Sequence, residues 1–219
     1  MANVRDFDWQ NTITATERWI TQDYDLEQLE SVDMLTSVWG NPYIAHLLVS
    51  FGFADGKRVV FSVEIRREEG ERFSEIGGFF RQLELVLIAA TERDTVKLRT
   101  DYCGEEVRML PVNLTADQRR AMFMSYVGLA QDLERKPQFC NTITANCTTV
   151  VYGVARNQKS DLPLRQSLIL SGRLPQYLED LGVLGGEGTL QKCHEAALLP
   201  GPSKRKQSDL LYSQAIRTR

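Results

Sequence analysis

No Cys-x-x-Cys pair occurs in this chain, and its histidines number only 2, His46 and His194. Structural zinc is usually held by four cysteine or histidine ligands at close spacing, so a metal site is poorly supported and a dithiol redox role has little to work with. The phosphate-cradling loops G-x-x-x-x-G-K-[ST] and G-x-G-x-x-G are missing, as is the G-x-S-x-G elbow of serine hydrolases. No cofactor is therefore expected. Gly185-Gly186-Glu187-Gly188 supplies glycines without the strand–helix context such loops need. An excess of positive charge is absent as well: the net charge is −3 and the isoelectric point about 5.6. Nucleic acid is not an expected partner. The best apolar run, Val38 to Ala54, is broken by Asn41, Pro42 and His46 and is too short for a bilayer. The polar start Met1-Ala2-Asn3-Val4-Arg5-Asp6 has no signal-peptide core, which leaves a cytosolic chain or one whose targeting segment lies upstream. Repeats at solenoid periods and low-complexity blocks are absent too.

What is present is enough apolar sequence for one core. Of 219 residues, 42% are hydrophobic and 25% charged, which suits a large single domain. The first 30 residues read as an extended wrap with one helical turn at Leu26 to Leu29. Strands follow at Val32–Trp39, His46–Phe53, Arg58–Ile65, Leu83–Ala90, Thr95–Thr100 and Glu106–Val112. The period then changes. Thr115-Ala116-Asp117-Gln118 matches a capping box, and Met122, Phe123, Tyr126, Val127, Ala130 and Leu133 recur at helical spacing up to Pro137. Further helices are expected over 146–154 and from Leu174 to Leu181, the last stopped by Gly182. The fold class is α+β, an antiparallel sheet packed against helices. One domain spans residues 1–200, and residues 201–219 form a tail carrying Lys204, Arg205, Lys206, Arg217 and Arg219.

Three residues could do chemistry together. Thr144 or Asn146 is a good helix N-cap, which puts Cys147 in a first helical turn. The positive end of the helix dipole and the unpaired N–H groups there favour thiolate over thiol. The same N–H groups, around Asn146 and Thr148, could hold an oxyanion. An ordinary buried cysteine at a helix start would read the same way. His46 stands in an apolar strand, where an imidazole needs a polar partner; a core histidine bonded to a carbonyl is the plainer reading. His194, beside Cys193 and Glu195, is the other candidate base. Glu64 is an acid in a largely apolar strand, either a strand-end charge leaning on Arg66 or Arg67 or the group that orients His46.

Hairpin register decides the last point. A two-residue Asp55-Gly56 turn would face His46 with Ile65. A three-residue Ala54-Asp55-Gly56 loop faces it with Glu64, with Cβ atoms about 4.5–5.5 Å apart. Glycine is the natural third residue of such a loop, at positive φ, so the three-residue loop is expected.

At these residues the chain resembles a known family. Phe139-Cys140-Asn141-Thr142-Ile143-Thr144-Ala145-Asn146-Cys147-Thr148-Thr149 is similar to a Y-N-T-L-T-x-N-C-T-T signature. Ile44-Ala45-His46, Ser50-Phe51-Gly52-Phe53, Ser62-Val63-Glu64-Ile65-Arg66 and Gly78-Phe79-Phe80-Arg81-Gln82-Leu83-Glu84-Leu85 are similar to further blocks of it. Together, from about Asn3 to His194, they resemble the family of the Lnb N-terminal periplasmic domain. The resemblance implies a thiol-dependent fold akin to permuted papain-like, NlpC-type enzymes, in which histidine precedes cysteine. It implies Cys147 as nucleophile, His46 as base and Glu64 as orienting acid. It also implies acyl transfer or hydrolysis on a lipid or lipoprotein of the bacterial envelope. The location would be periplasmic and membrane-proximal, with any tether in a segment outside this chain. Peptidoglycan amidase activity and a non-catalytic envelope binding module are the alternatives. Cys140 departs from the family's tyrosine and would allow a link to Cys147 that blocks the nucleophile; the expectation is that Cys147 stays free and lies within about 4 Å of the His46 imidazole.

Overall fold

Along Ala45–Phe53, Leu47, Val49, Phe51 and Phe53 point to one side of the strand, and His46, Leu48, Ser50 and Gly52 to the other. Both sides are covered: the first set packs into one hydrophobic cluster with Phe123 and Tyr126, and Leu48 into another with Val96 and Ile216. The computed structural model describes residues 1–66, 84–138, 171–186, 188–205 and 211–218. The expected helix over 146–154 lies outside them, and with it Cys140, Asn146, Cys147 and Thr148.

The N-terminal wrap contains four two-residue strands, β1 (Val4–Arg5), β2 (Asp8–Trp9), β3 (Ala15–Thr16) and β4 (Trp19–Ile20). A 3-10 turn, Leu26–Gln28, then leads into β5 (Leu29–Val38), β6 (Ala45–Phe53), β7 (Arg58–Arg66), β8 (Glu84–Ala90) and, later, β9 (Glu106–Pro111). The sheet order is β4-β1-β8-β7-β6-β5-β9, antiparallel except where β1 runs parallel to β8. β2 and β3 form a separate small ribbon. Buried carboxylates hold the wrap in place. Asp94, fully buried, accepts from the Arg5 guanidinium, the Phe7 N–H and the Trp9 indole N–H.

Thr95–Thr100 is not a strand. That segment forms α1 (Glu92–Lys97), followed by a π turn over Leu98–Tyr102. Its β-branched residues favour a strand locally, but Thr91 caps the helix by accepting from the Asp94 N–H at 3.2 Å. Burial of Glu92, Asp94, Thr95 and Val96 then fixes the helical form.

α2 (Ala116–Arg135) starts at the Thr115–Gln118 capping box and packs on one sheet face. Its Phe123 and Tyr126 meet Phe51 and Phe61 ring to ring, with Phe61 stacked on Tyr126 at 5.0 Å between centroids. α3 (Leu174–Asp180) ends at Gly182 (φ +69°), and α4 (Leu190–Ala196) packs beside β9. The opposite sheet face buries Leu35, Leu48, Val60 and Val107 against Val96 and Ile216. Ile216 follows the short helix α5 (Tyr212–Ala215), so the described end of the C-terminal segment is packed against the sheet.

Candidate active site

The β6–β7 connection sets everything that follows. Phe53 N–H donates to the Lys57 carbonyl at 3.0 Å and Gly56 N–H to the Phe53 carbonyl at 2.9 Å, closing a loop of Ala54, Asp55 and Gly56. Gly56 has φ +83°, where a side chain would be strained. The register then runs Gly52–Arg58, Phe51–Val59, Ser50–Val60, Val49–Phe61 and Leu48–Ser62. The paired register ends there; carried on by two residues it sets His46 opposite Glu64, and the side-chain contact of 3.1 Å between them agrees with it. Across the other edge of β6, His46 pairs with Ser37. Ser37, His46 and Glu64 therefore form one row across three strands, on the sheet face away from α2.

Side chains complete the contact. His46 Nε2 lies 3.1 Å from Glu64 Oε1 and 2.8 Å from Ser62 Oγ. The Ser62 hydroxyl donates to Glu64 Oε1 at 2.6 Å. A hydroxyl that gives its proton to Glu64 can only accept from His46, so the network assigns the ring proton to Nε2. The basic lone pair of the neutral ring is then on Nδ1. The His46 side chain is 11% exposed and that of Glu64 32%, a site at the surface of the core rather than within it.

Glu64 has one more partner among the described residues. Arg99 Nη2, from the π turn after α1, donates to Glu64 Oε1 at 3.0 Å, and Nη1 to Glu105 Oε2 at 3.2 Å. Glu105 in turn accepts from Ser37 Oγ. Burial alone would raise the Glu64 pKa. The hydrogen bond from His46, the charges of His46 and Arg99 and the Ser62 hydroxyl outweigh it and bring the carboxyl from about 4.5 down to about 2. Glu64 is thus a carboxylate at any ordinary pH.

Of the residues the sequence singled out, His46 and Glu64 come together, and Cys147, Asn146 and Thr148 lie outside the described residues. His194 stands on α4 beside β9, two strands from His46, with its carbonyl accepting from Arg108 Nε at 3.2 Å. Burial first, then the Arg108 charge, lowers its pKa. Cys103 is a free thiol and exposed. Among the described residues no group of His, Cys, Asp and Glu is placed to hold a metal ion.

Sequence reading missed Ser62 and Arg99. Ser62 was findable, because a residue two before Glu64 in a strand shares its face. Arg99 carried no signal while its segment read as a strand.

The loop Trp39–Ile44 leads into β6 immediately before Ala45 and His46. Trp39, Tyr43 and Ile44 are each more than half exposed. Gly172 holds this loop: its N–H donates to the Tyr43 carbonyl at 3.1 Å, and a Cβ there would lie 2.0 Å from the Pro42 carbonyl oxygen. Ser171 Oγ accepts from the Ala45 N–H at 2.7 Å, and the Arg173 guanidinium lies over the Tyr43 ring at 5.6 Å.

A family model described as the Lnb N-terminal periplasmic domain matches residues 15–179, a span that includes His46, Glu64, Arg99 and Cys147. No curated protein and no solved structure matches the chain.

Proposed function

The chain belongs to the Lnb N-terminal periplasmic domain family, and from that premise we propose that it is a thiol enzyme of the bacterial envelope that transfers or hydrolyses acyl groups. Cys147 is the nucleophile, His46 the base and Glu64 the acid that orients it, in a permuted papain-like, NlpC-type arrangement. The observation that carries the reading is the His46–Ser62–Glu64 network. It fixes the ring tautomer and puts an ionised carboxylate behind the base, which is what the third member of a catalytic triad does.

In the first step His46 Nδ1 takes the thiol proton and the Cys147 sulfur attacks an ester or amide carbonyl. N–H groups at Asn146 and Thr148 hold the oxyanion. The tetrahedral intermediate collapses to an acyl-thioester, and the leaving alcohol or amine takes its proton from His46. An incoming amine or water then gives a proton to His46, attacks the thioester, and releases the thiolate. Glu64 stabilises the imidazolium that exists between proton transfers.

The exposed Trp39, Tyr43 and Ile44, ahead of His46 in the chain, support a lipid or lipoprotein as acyl donor. Trp and Tyr suit the boundary between water and acyl chains.

The test uses Cys103→Ser protein, which removes the exposed thiol, and a fluorescent long-chain acyl ester. We expect a covalent adduct that neutral hydroxylamine releases, as it does a thioester. Cys147→Ala abolishes it, and His46→Ala slows its formation about 100-fold or more. Labelling that survives the loss of His46 overturns the reading. Turnover of a peptidoglycan peptide without labelling by the acyl ester points instead to the amidase alternative.

A further inference from the structure

Arg99 is placed at structural expense. It sits in a π turn, a geometry that is rare and frequently found at functional sites. Its side chain is 14% exposed, and its Nε is buried with no hydrogen-bond partner among the described residues. An arginine that served only to tie the turn to the sheet could do so from the surface, without an unpaired buried N–H.

What it touches is the oxygen that serves His46. Glu64 Oε1 receives Ser62 Oγ at 2.6 Å, Arg99 Nη2 at 3.0 Å and His46 Nε2 at 3.1 Å. A carboxylate oxygen divided among three donors presents less negative potential to the imidazole than one reserved for it. The guanidinium also repels the imidazolium directly. Arg99 itself cannot drift, since Glu105 holds its other terminal nitrogen and Ser37 holds Glu105. Among the described residues, three further titratable groups stand around the His46–Glu64 pair. Glu64 faces His46 from β7, Arg99 from the π turn, and Glu105 stands behind Arg99 with the Cys103 thiol nearby in the same loop. Asp101, in the same turn, is taken by Arg205.

We infer that Arg99 is a positioning residue for the His46–Glu64 pair: tethered by Glu105, it fixes the Glu64 carboxylate and moderates its pull on His46, so that His46 stays a neutral base under working conditions. Its bearing on catalysis rests on the acyl-transfer reading; its effect on His46 does not. A base whose carboxylate is undivided would hold its proton too well to take one from a thiol at neutral pH.

With only 2 histidines in the chain, the proton affinity of His46 can be read directly by NMR titration of the ring protons. His194→Gln assigns the signals, and a Cys147→Ala background removes any coupled thiol. Removing the guanidinium with Arg99→Gln should raise the His46 pKa by about one unit, because a like charge is lost and Glu64 is returned to it. Glu64→Gln should lower it. Glu105→Gln should also lower it, since the Arg99 charge is then uncompensated. Arg99→Lys should restore most of the wild-type value. An arginine whose charge does not reach His46 predicts no shift in any of these variants. An unmoved or lowered pKa in folded Arg99→Gln overturns the inference, and if that variant does not fold, an unmoved or raised pKa in Glu105→Gln does so. Acyl labelling of the same substitutions with Cys147 intact separates the two readings. Ordered pKa shifts without labelling leave Arg99 its role and remove the enzyme; labelling with an unmoved His46 does the reverse.

Discussion

Glu64 illustrates how far one residue's surroundings can be read. Its carboxyl is brought from about 4.5 to about 2 against the effect of burial, so its folded value lies below its unfolded one. Such a group contributes stability that is fully present above the unfolded value and is lost as pH falls through the window from about 4.5 to about 2. The melting temperature of the wild type should therefore approach that of Glu64→Gln as pH is taken from about 6 to about 3. A gap that stays constant over that range would show that the carboxylate's charge contributes nothing to the fold. The polar members of the site were legible because they are anomalies: a histidine and a glutamate in strands otherwise apolar need each other or something like each other. Ser62 is less anomalous, since a serine is tolerated in a sheet without any partner in the site.

At the scale of elements, the β6–β7 hairpin could have closed in two registers that send Glu64 to opposite faces, and a single glycine in a left-handed position settles it. Gly56→Ala should destabilise the protein by about 1 kcal/mol, with Gly56→Asn milder because asparagine tolerates that conformation. Denaturant unfolding with both variants checks this, and an alanine indistinguishable from wild type would mean the loop can re-form without a positive φ. The strands of the central sheet and the long helix α2 were legible from alternation, from the capping box and from Pro137. The segment Thr95–Thr100 was not, because β-branched residues favour a strand locally while the burial of Glu92 and Asp94 belongs to the tertiary structure; the Thr91 cap, by contrast, is local to the sequence. Thr91 also donates to Asp6 at 2.7 Å, so it joins the helix to the N-terminal wrap. Thr91→Ala should cost about 1–2 kcal/mol, at the upper end for a cap, measured by the same unfolding experiment. A loss of a few tenths would mean the helix holds without its cap. The missed helix had a consequence at the site, since Arg99 reaches Glu64 only because the chain there is helical and then widens into a π turn.

Across the whole molecule, the two ends of the chain close over a sheet that has two buried faces. The N-terminal wrap extends one edge through β1 and β4, and the C-terminal segment covers part of the face that carries His46. Two of the tail's basic residues are engaged internally: Arg205 pairs with Asp101, and Arg217 with Glu92 and Asp33. The Arg217 contact is the deeper of the two. The Glu92 side chain is fully buried, with Arg217 Nη2 at 2.7 Å from Oε1, Nη1 at 2.8 Å from Oε2, and Ser50 Oγ donating at 2.6 Å. Burial raises the Glu92 pKa, but the hydrogen bonds and charge of Arg217, with the Ser50 hydroxyl, outweigh it and leave the carboxyl below its ordinary value. Removing the guanidinium strands a buried carboxylate, which in proteins generally costs about 3–5 kcal/mol. Arg217→Met should lose that much near neutral pH. The sign with pH follows from the same balance. Without Arg217, burial is no longer outweighed and the folded value of Glu92 rises above the unfolded one. Stability in the variant is then fully present below the unfolded value and lost as pH rises through the folded one. In the wild type the carboxylate contributes above the unfolded value instead, so the gap between the two proteins should widen as pH rises through and above the unfolded value. Adding Glu92→Gln to Arg217→Met should remove the part of the pH dependence that Glu92 contributes and recover part of the loss, because a neutral amide is far easier to bury than a charge; the pairing of Arg217 with Asp33 is lost in both variants. Unfolding free energies for the three proteins at several pH values decide it. A gap that does not change with pH, or a double variant no better than the single one, would show that Arg217 acts by packing its stem rather than by neutralising Glu92.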